Sequence, residues 1–393
     1  MYRLLPLHAL LASLVVGCQN LSREASDPPV PDGAWEQLTA LHLETKLGGC
    51  AVGDFDPDRP GNEIAVVAGD GRVLEIFVDE TDPSGFAHEL MGTLPGEPIQ
   101  CAVGDLLPGR PGVELVTVGV AEGGEHDGGA GLATLWLRDG EGGSWEGHTL
   151  LEDQALIHGV AVGELDPDRP GAEVVLGGFS GVVHVGTIRS AGDRTVALWE
   201  HHAMPASTGN VKGISVGPEG ARIGCDDGSL LALDRAAGSL GLHSLCRWEG
   251  APLARLASDA DGVLVASNDG VLRYSQFAPD TGTTSTVVGA RADDRLRGAV
   301  IADLSNESPG TEWATAGYDG RILVIERVDV RRDRTGVLTM RTRQELAGQD
   351  DDRLHHLAAG ELPGLGTCLV AVGYSGRVTV LRRAPVAEAP GAP

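Results

Sequence analysis

The sequence predicts an all-β fold, a seven-bladed β-propeller built from four-stranded antiparallel blades. Two observations support this prediction: one strand-turn-strand pattern recurs seven times along the chain, and a spare strand precedes the first copy. Repetition at a period of about 40 to 60 residues is typical of propeller blades. The alternative, two packed β-sandwiches, does not predict near-identical copies at these intervals.

The clearest copy covers residues 51–79, AVGDFDPDRPGNEIAVVAGDGRVLEIFVD. A short apolar strand leads into an acidic loop, and two further strands follow at Glu63–Ala68 and Arg72–Val78. Between them lies Asp70-Gly71, a hairpin signal, because both residues of such a turn must tolerate positive φ. A strand-like segment at 87–94 completes the blade.

The ends of the repeat predict a closed ring. The copies are marked by a small residue ahead of each loop: Gly53, Gly104, Gly163, Gly217, Ser258, Ala302 and Gly360. The second copy replaces the hairpin turn with a glycine-rich insertion at 122–131, and the seventh ends after its third strand, at 377–382. We therefore expect the spare strand, at 35–44, to join the last blade and leave no open sheet edge.

The amino-terminal segment predicts that the protein is located in the cell envelope. An apolar run from Leu4 to Val16 is too short to span a bilayer. Val15-Val16-Gly17-Cys18 resembles the lipobox of bacterial lipoproteins, which implies that Cys18 carries a lipid anchor worth about 0.8 kcal/mol per buried methylene. By the same resemblance, Gln19 implies the outer membrane. An ordinary secretory signal with a chance cysteine, or a buried helix, is the alternative.

Four segments follow from these patterns. Residues 1–17 are the predicted lipoprotein signal peptide, 18–33 a proline-rich tether, 34–382 the propeller and 383–393 a disordered tail. With 56 acidic and 30 basic residues the chain has a net charge of −26. No basic stripe is present to neutralise phosphates, which argues against nucleic acid as a partner, and we expect contact with the membrane through the lipid alone.

Alternating carboxylates in two loops predict a calcium site. They are Asp54, Asp56 and Asp58 in the first copy, and Glu164, Asp166 and Asp168 in the third. Such oxygens at positions one, three and five of a tight loop can converge on one Ca²⁺ ion. The string GDFDPDRPGNEI resembles the FG-GAP or VCBS type of propeller repeat, which implies calcium loops between first and second strands, although the family's glycine after the third acid is absent.

The alternative is that the loop acids cap backbone N–H groups while Pro-Gly sets the turn. A glutamate recurs at the start of the second strand even where the other acids vanish, which favours a structural role for it. These residues are Glu63, Glu114, Glu173 and Glu312.

A second candidate site lies at one mouth of the predicted channel. Five residues before the anchors stand His158, Lys212, Arg297 and His355, at the start of the innermost strands, and Arg255 and His356 lie nearby in the sequence pattern. Such a cluster in an acidic protein could hold a carboxylate or phosphate. The alternatives are polar residues that a water-filled channel tolerates, paired with nearby acids, or, less favoured, a metal site that adds His356 to the two histidines.

No specific catalytic motif occurs, so the sequence favours a non-catalytic envelope lipoprotein that acts as a binding or assembly scaffold for protein or glycan partners. The alternative is an envelope enzyme of the glycan lyase or hydrolase type that uses the channel mouth. That reading would employ His158 and His355 with Glu164 and Glu361 as acid and base groups. Residues 227–234 also resemble repeats of quinoprotein-type propellers, but the six tryptophans follow no regular register.

Overall fold

The computed structural model describes residues 35–384 apart from 122–128, 139–141, 192–193, 237, 279–282, 305–309 and 333–337. Within these residues there is no helix, and 28 strands form seven four-stranded antiparallel sheets. The predicted seven-bladed propeller is confirmed. No helix in the described part of the chain is long and apolar enough to cross a membrane.

Blade one contains β2 (Leu47–Gly53), β3 (Glu63–Ala68), β4 (Arg72–Val78) and β5 (Phe86–Thr93). Blade two contains β6 (Glu97–Gly104), β7 (Glu114–Val120), β8 (Gly131–Arg138) and β9 (Trp145–Asp153). Blade three contains β10 (Ile157–Gly163), β11 (Glu173–Gly178), β12 (Val182–Ala191) and β13 (Arg194–Ala203). Blade four contains β14 (Val211–Gly217), β15 (Gly220–Cys225), β16 (Ser229–Ala236) and β17 (Ser239–Arg247). Blade five contains β18 (Leu253–Ser258), β19 (Val263–Ser267), β20 (Val271–Ala278) and β21 (Thr283–Arg291). Blade six contains β22 (Leu296–Ala302), β23 (Glu312–Gly317), β24 (Arg321–Arg332) and β25 (Leu338–Gln349).

Blade seven joins the two ends of the chain. Its strands are β26 (Leu354–Leu362), β27 (Gly366–Gly373), β28 (Arg377–Arg383) and, as the outer strand, β1 (Trp35–His42). β1 pairs antiparallel with β28, so that Trp35 lies opposite Arg383 and His42 opposite Arg377. The predicted closure of the ring by the amino-terminal strand is confirmed, and it satisfies an edge that would otherwise be open.

The core lies between the blades. Five of the seven second strands are buried along their whole length, and the other two everywhere but at their first residues, because each is covered on both faces by neighbouring blades. For example, β3 reads Glu-Ile-Ala-Val-Val-Ala and β7 Glu-Leu-Val-Thr-Val-Gly-Val. The cluster between blades one and seven includes Leu47, Val66 and Val370, so the closing contact is as apolar as the others. Burial of such aliphatic side chains contributes about 25 cal/mol per Å² of apolar surface.

The turns between second and third strands differ in one detail from the prediction. The first is a three-residue loop, Gly69 to Gly71, in which the N–H of Gly71 donates to the carbonyl of Ala68 over 3.0 Å. Gly71 has a φ of +93°, and a Cβ there would lie 2.6 Å from the Leu94 carbonyl oxygen. This is the three-residue hairpin loop that ends in a left-handed glycine rather than a two-residue turn.

Two faces of the ring follow from the alternating strand directions. The mouth face carries the beginnings of the first strands and the turns between second and third strands. The loop face carries the acidic loops and the links between third and fourth strands. First strands of neighbouring blades contact each other, and they surround the central channel.

Candidate functional site

The same irregularity occurs in the first strand of every blade. Near its beginning, the pairing with the second strand steps over one residue, which produces a β-bulge. The bulged residues are Gly48, Ile99, His158, Lys212, Ala254, Arg297 and His355. A bulge re-aims a side chain away from the regular alternation of a strand. Six of the seven line one cavity of about 340 Å³ at the mouth face.

The four predicted channel residues are therefore brought together. His158, Lys212, Arg297 and His355 all line this cavity, from blades three, four, six and seven. Blade five departs from the expected equivalence, because counting back five residues from Ser258 gives Leu253, whereas the bulged residue is Ala254. We call this site the mouth cavity.

Aromatic rings accompany the basic groups, and sequence reasoning missed them. Three aromatic residues, Phe179, Tyr318 and Tyr374, each directly follow a second strand. Each stands just before the Ser-Gly or Asp-Gly pair of the hairpin turn. The Lys212 Nζ lies 4.0 Å from the Phe179 ring centroid, and the Arg297 guanidinium lies 5.0 Å from that of Tyr318. The signal was an aromatic residue preceding Ser-Gly or Asp-Gly in three copies of the turn. Cations over aromatic faces are attracted by the ring quadrupole.

The two histidines of the cavity contact these rings, His158 in a stacked and His355 in an edge-to-face arrangement, and both are held by the backbone. His158 lies 6.4 Å from Phe179 and His355 lies 6.0 Å from Tyr374, measured between ring centroids. The Nδ1 of His355 donates to the Gly48 carbonyl over 2.7 Å, so its Nε2 carries the lone pair in the neutral ring. Burial, followed by the charge of Arg255, lowers the pKa of His355 to about 3. The same causes hold the pKa of His158 well below its ordinary value.

Arg255, which the sequence placed near these four residues, is buried beside the mouth cavity and is not one of its lining residues. Its side chain is 3% exposed, and its Nη1 donates to the carbonyls of Lys212 and Ala254 over 2.8 and 3.0 Å. Its Nε and Nη2 are buried without a hydrogen-bond partner among the described residues. Burial and the nearby Arg297 lower the pKa of Arg255 to about 9. A buried guanidinium with unused donors is costly unless an anion or water satisfies it.

The carboxylates considered for an enzyme lie elsewhere. Glu164 and Glu361 are at or beyond the loop-face ends of β10 and β26, whereas His158 and His355 are at the beginnings of these strands. Glu164 is six residues from His158 and Glu361 six residues from His355, which in extended chain is a distance of about 20 Å. His356 points away from the cavity residues and contacts the main-chain N–H of Cys50 at 3.4 Å. Within the described ranges no group of three or more His, Cys, Asp or Glu side chains is arranged to hold a metal ion.

The acidic loop of blade one is held by arginines. Asp56 is fully buried; its Oδ2 contacts the guanidinium groups of Arg59, at 2.9 Å, and of Arg138 from blade two. Its Oδ1 accepts the N–H of Asp58 over 3.0 Å. Asp54 is exposed and Asp58 contacts Arg138 at 3.3 Å. As arranged, this donor set does not fit Ca²⁺, because two cations already occupy its central carboxylate.

Blade three repeats this arrangement. Asp166 contacts Arg169 at 2.9 Å and Arg235 of blade four at 3.2 Å, and its Oδ1 accepts the N–H of Asp168. Glu164 stays at the exposed start of the loop. The contacts favour turn caps and ion pairs between blades, and calcium binding stays a prediction.

The recurring glutamates have a structural role, as the sequence favours, but they fill it by capping loop N–H groups, which was predicted of the loop aspartates. Glu63 accepts the main-chain N–H groups of Phe55 and Asp56 at 3.1 and 3.2 Å. Glu114, Glu173 and Glu312 accept equivalent N–H groups in blades two, three and six. Burial outweighs these bonds and raises the pKa of Glu63 to about 8.

A larger groove of about 830 Å³ lies on the loop face between blades one and two. Phe55, Trp136 and Trp145 form its apolar wall, and Arg110 and Arg138 contribute its charges. Trp145 donates to Glu75 over 3.2 Å, and Arg138 is engaged by Asp56, so these polar groups have partners within the ring. The groove is a second cavity without an unsatisfied charge among its described residues.

Comparison with known proteins supports the fold. No model of a known protein family and no curated protein matches the chain. Among solved structures, the crystal structure of the WD40 beta propeller domain of Doa1 is similar, with a TM-score of 0.52 and 13% sequence identity over 88% of this chain and 96% of that one. A likeness at this identity shows the shared propeller architecture and leaves function to the site.

Several predicted features lie outside the described residues. The signal peptide, Cys18 and the tether belong to residues 1–34, most of the glycine-rich insertion in blade two belongs to 122–128, and the predicted tail from 385 onward belongs to 385–393.

Proposed function

We propose that this chain is a non-catalytic binding propeller of the bacterial cell envelope, which receives an anionic group of a protein or glycan partner in its mouth cavity. The observation that carries the proposal is the meeting of Lys212 and Arg297 with two neutral histidines around one cavity, beside which Arg255 is buried with two unpartnered nitrogens. Charge-assisted bonds from Lys212 and Arg297 would hold a carboxylate or phosphate there.

The rigid ring suits this role. Bulges in seven blades fix where the mouth side chains point, so little conformational entropy is lost when a ligand binds. The positive cavity also stands out against a chain whose net charge is −26, which favours approach of an anion at this place alone. The proposal includes the lipid on Cys18 and a relation to FG-GAP or VCBS repeats, supported by the lipobox-like segment and by GDFDPDRPGNEI.

Titration of the full chain with anions tests the binding role. Inorganic phosphate and sodium acetate are added at constant ionic strength, and heat and thermal unfolding are recorded. We expect saturable binding that raises the unfolding temperature and that weakens at least tenfold in Arg297→Gln. Arg343→Gln, on the outer strand of blade six and far from the mouth, serves as the matched control. Binding that is equal in both variants, or absent in the wild type, would overturn the proposal.

Growth of the producing bacterium with an alkyne-labelled fatty acid tests the anchor. We expect the label on the wild-type chain and none on Cys18→Ala, which should also leave the membrane fraction. Label retained by Cys18→Ala would place the lipid elsewhere, and no label on either would contradict the anchor.

A further inference from the structure

The mouth cavity has two unlike halves. On one side, blades one to three contribute Leu47, Pro98, Ile99, Leu156 and Phe179. Ile99 and Leu156 are only 4% and 3% exposed and belong to one hydrophobic cluster, against which Phe179 packs. The other side, from blades four, six and seven, presents Lys212, Arg297, His355 and Tyr374.

We infer that the ligand is a small amphiphilic carboxylate, with one acid group on an aromatic or branched aliphatic body. This inference rests on the proposed function and names the class of group that the cavity takes. A site with an apolar wall and few convergent polar groups orients such a molecule, with its acid toward the cations and its body toward Ile99 and Phe179. The volume of about 340 Å³ is at the lower end of small-molecule sites, which span about 300 to 1,000 Å³.

The cationic half favours a carboxylate. A carboxylate is planar and matches the fork of a guanidinium, and the Arg297 guanidinium lines the cavity. Arg255 is buried close by, and its Nε and Nη2 have no hydrogen-bond partner among the described residues. Arg297 also has a buried Nε without a hydrogen-bond partner among the residues described. The two guanidinium groups are close enough that Arg297 lowers the pKa of Arg255, so a single negative charge placed there would relieve their repulsion.

The opposite rim disfavours a second acid on the ligand. Glu97 lines the cavity beside the apolar wall, and its Oε1 contacts the Nζ of Lys46 at 2.6 Å. Because Lys46 is already paired, a ligand with negative charge at both ends would meet Glu97. Hydrophilic sugar acids would in turn leave their hydroxyl groups against Leu156 and Phe179 without partners, which is costly.

The same chemistry can come from a free acid or from the carboxyl-terminal residue of a peptide. The full chain is titrated with acetate, 3-phenylpropionate and 2-phenylethanol. We expect 3-phenylpropionate to bind at least tenfold more tightly than acetate and 2-phenylethanol to show no saturable binding. N-acetyl-Ala-Ala-Phe is the peptide arm: tighter binding than 3-phenylpropionate assigns the peptide source, and weaker binding assigns the free acid.

Variants separate the inference from the function on which it rests. Phe179→Ser and Ile99→Ala should weaken 3-phenylpropionate at least fivefold more than they weaken acetate, while Arg297→Gln should weaken both ligands by similar factors. Leu346→Ser, an exposed leucine in the outer strand of blade six, is the matched control, and circular dichroism checks each fold. Equal affinity for acetate and 3-phenylpropionate would overturn the amphiphilic ligand and leave anion binding intact. Absence of binding by every anion would overturn the proposed function itself.

Discussion

His158 and Arg255 donate to the same atom, the main-chain carbonyl oxygen of Lys212, over 2.9 and 2.8 Å. The three residues come from blades three, five and four, so one carbonyl joins three consecutive blades at the mouth. Because that carbonyl lies at the bulge of β14, its position is fixed by the strand pairing of blade four. The basic groups of the mouth cavity are therefore held in place before any ligand arrives.

Replacement of Arg255 should weaken anion binding and leave the free energy of unfolding nearly unchanged. We expect Arg255→Met to lower anion affinity at least tenfold and to change the free energy of unfolding by no more than about 1 kcal/mol, since it removes a buried charge that lacks an acid partner. Arg222→Met is the contrasting control, because Arg222 is also buried but contacts Asp234 at 2.6 Å. Its loss should cost about 2 kcal/mol. Chemical denaturation measures both, and a larger loss in Arg255→Met than in Arg222→Met would contradict the assignment.

The buried histidines predict a loss of stability in acid. The pKa of His355 falls to about 3 in the folded chain, so between its ordinary pKa of 6.5 and about pH 3 the unfolded state binds more protons than the folded state. Stability from this group is complete above pH 6.5 and is lost as the pH falls, by up to about 1.4 kcal/mol per pH unit. His355→Gln should flatten the profile in this range. Unfolding free energies at pH 7, 6 and 5 check this, and parallel profiles for the two proteins would contradict it.

The glutamate at the start of β3 should stabilise blade one by capping its loop. We expect Glu63→Ala to cost about 2 kcal/mol, because the N–H groups of Phe55 and Asp56 lose their acceptor in a buried place. Glu63→Gln keeps an acceptor oxygen and should cost less. Urea denaturation of the two variants provides the measurement; equal losses would show that the charge, rather than the acceptor, carries the effect.

Calcium binding by the acidic loop should depend on its arginines. We expect calorimetry to find no saturable binding of Ca²⁺ to the wild type after chelation, since Arg59 and Arg138 contact Asp56. The double variant Arg59→Gln, Arg138→Gln frees the alternating carboxylates and should acquire weak binding. Binding that raises the unfolding temperature of the wild type, and is lost in Asp56→Ala, would instead support the calcium prediction.

The sequence predicted the ring because repetition and turn glycines are local signals. It also predicted four residues of the mouth cavity, since one position counted from each anchor coincides with the bulge. The count failed in blade five, where it gives Leu253 but the bulged residue of β18 is Ala254; Arg255, which the sequence placed nearby, directly follows this bulge.

The acidic loops show what local sequence cannot reveal. Asp56 and its neighbours alternate as metal ligands do, but Arg138, which contacts Asp56 in the structure, lies 82 residues further along the chain. The pairing depends on how blades one and two pack. Long-range partners of this kind are invisible to spacing within one copy.

The closure of the ring by β1 also fixes the face of the ring on which the chain enters. β1 begins at Trp35, opposite Arg383, so the chain enters the ring on the loop face and the mouth cavity opens on the far side. With lipid on Cys18, as proposed, the predicted tether of 16 residues, which reaches at most about 55 Å, would join the ring on the side of the acidic loops. The cationic mouth would then open on the face of the ring opposite to the point where the tether joins it.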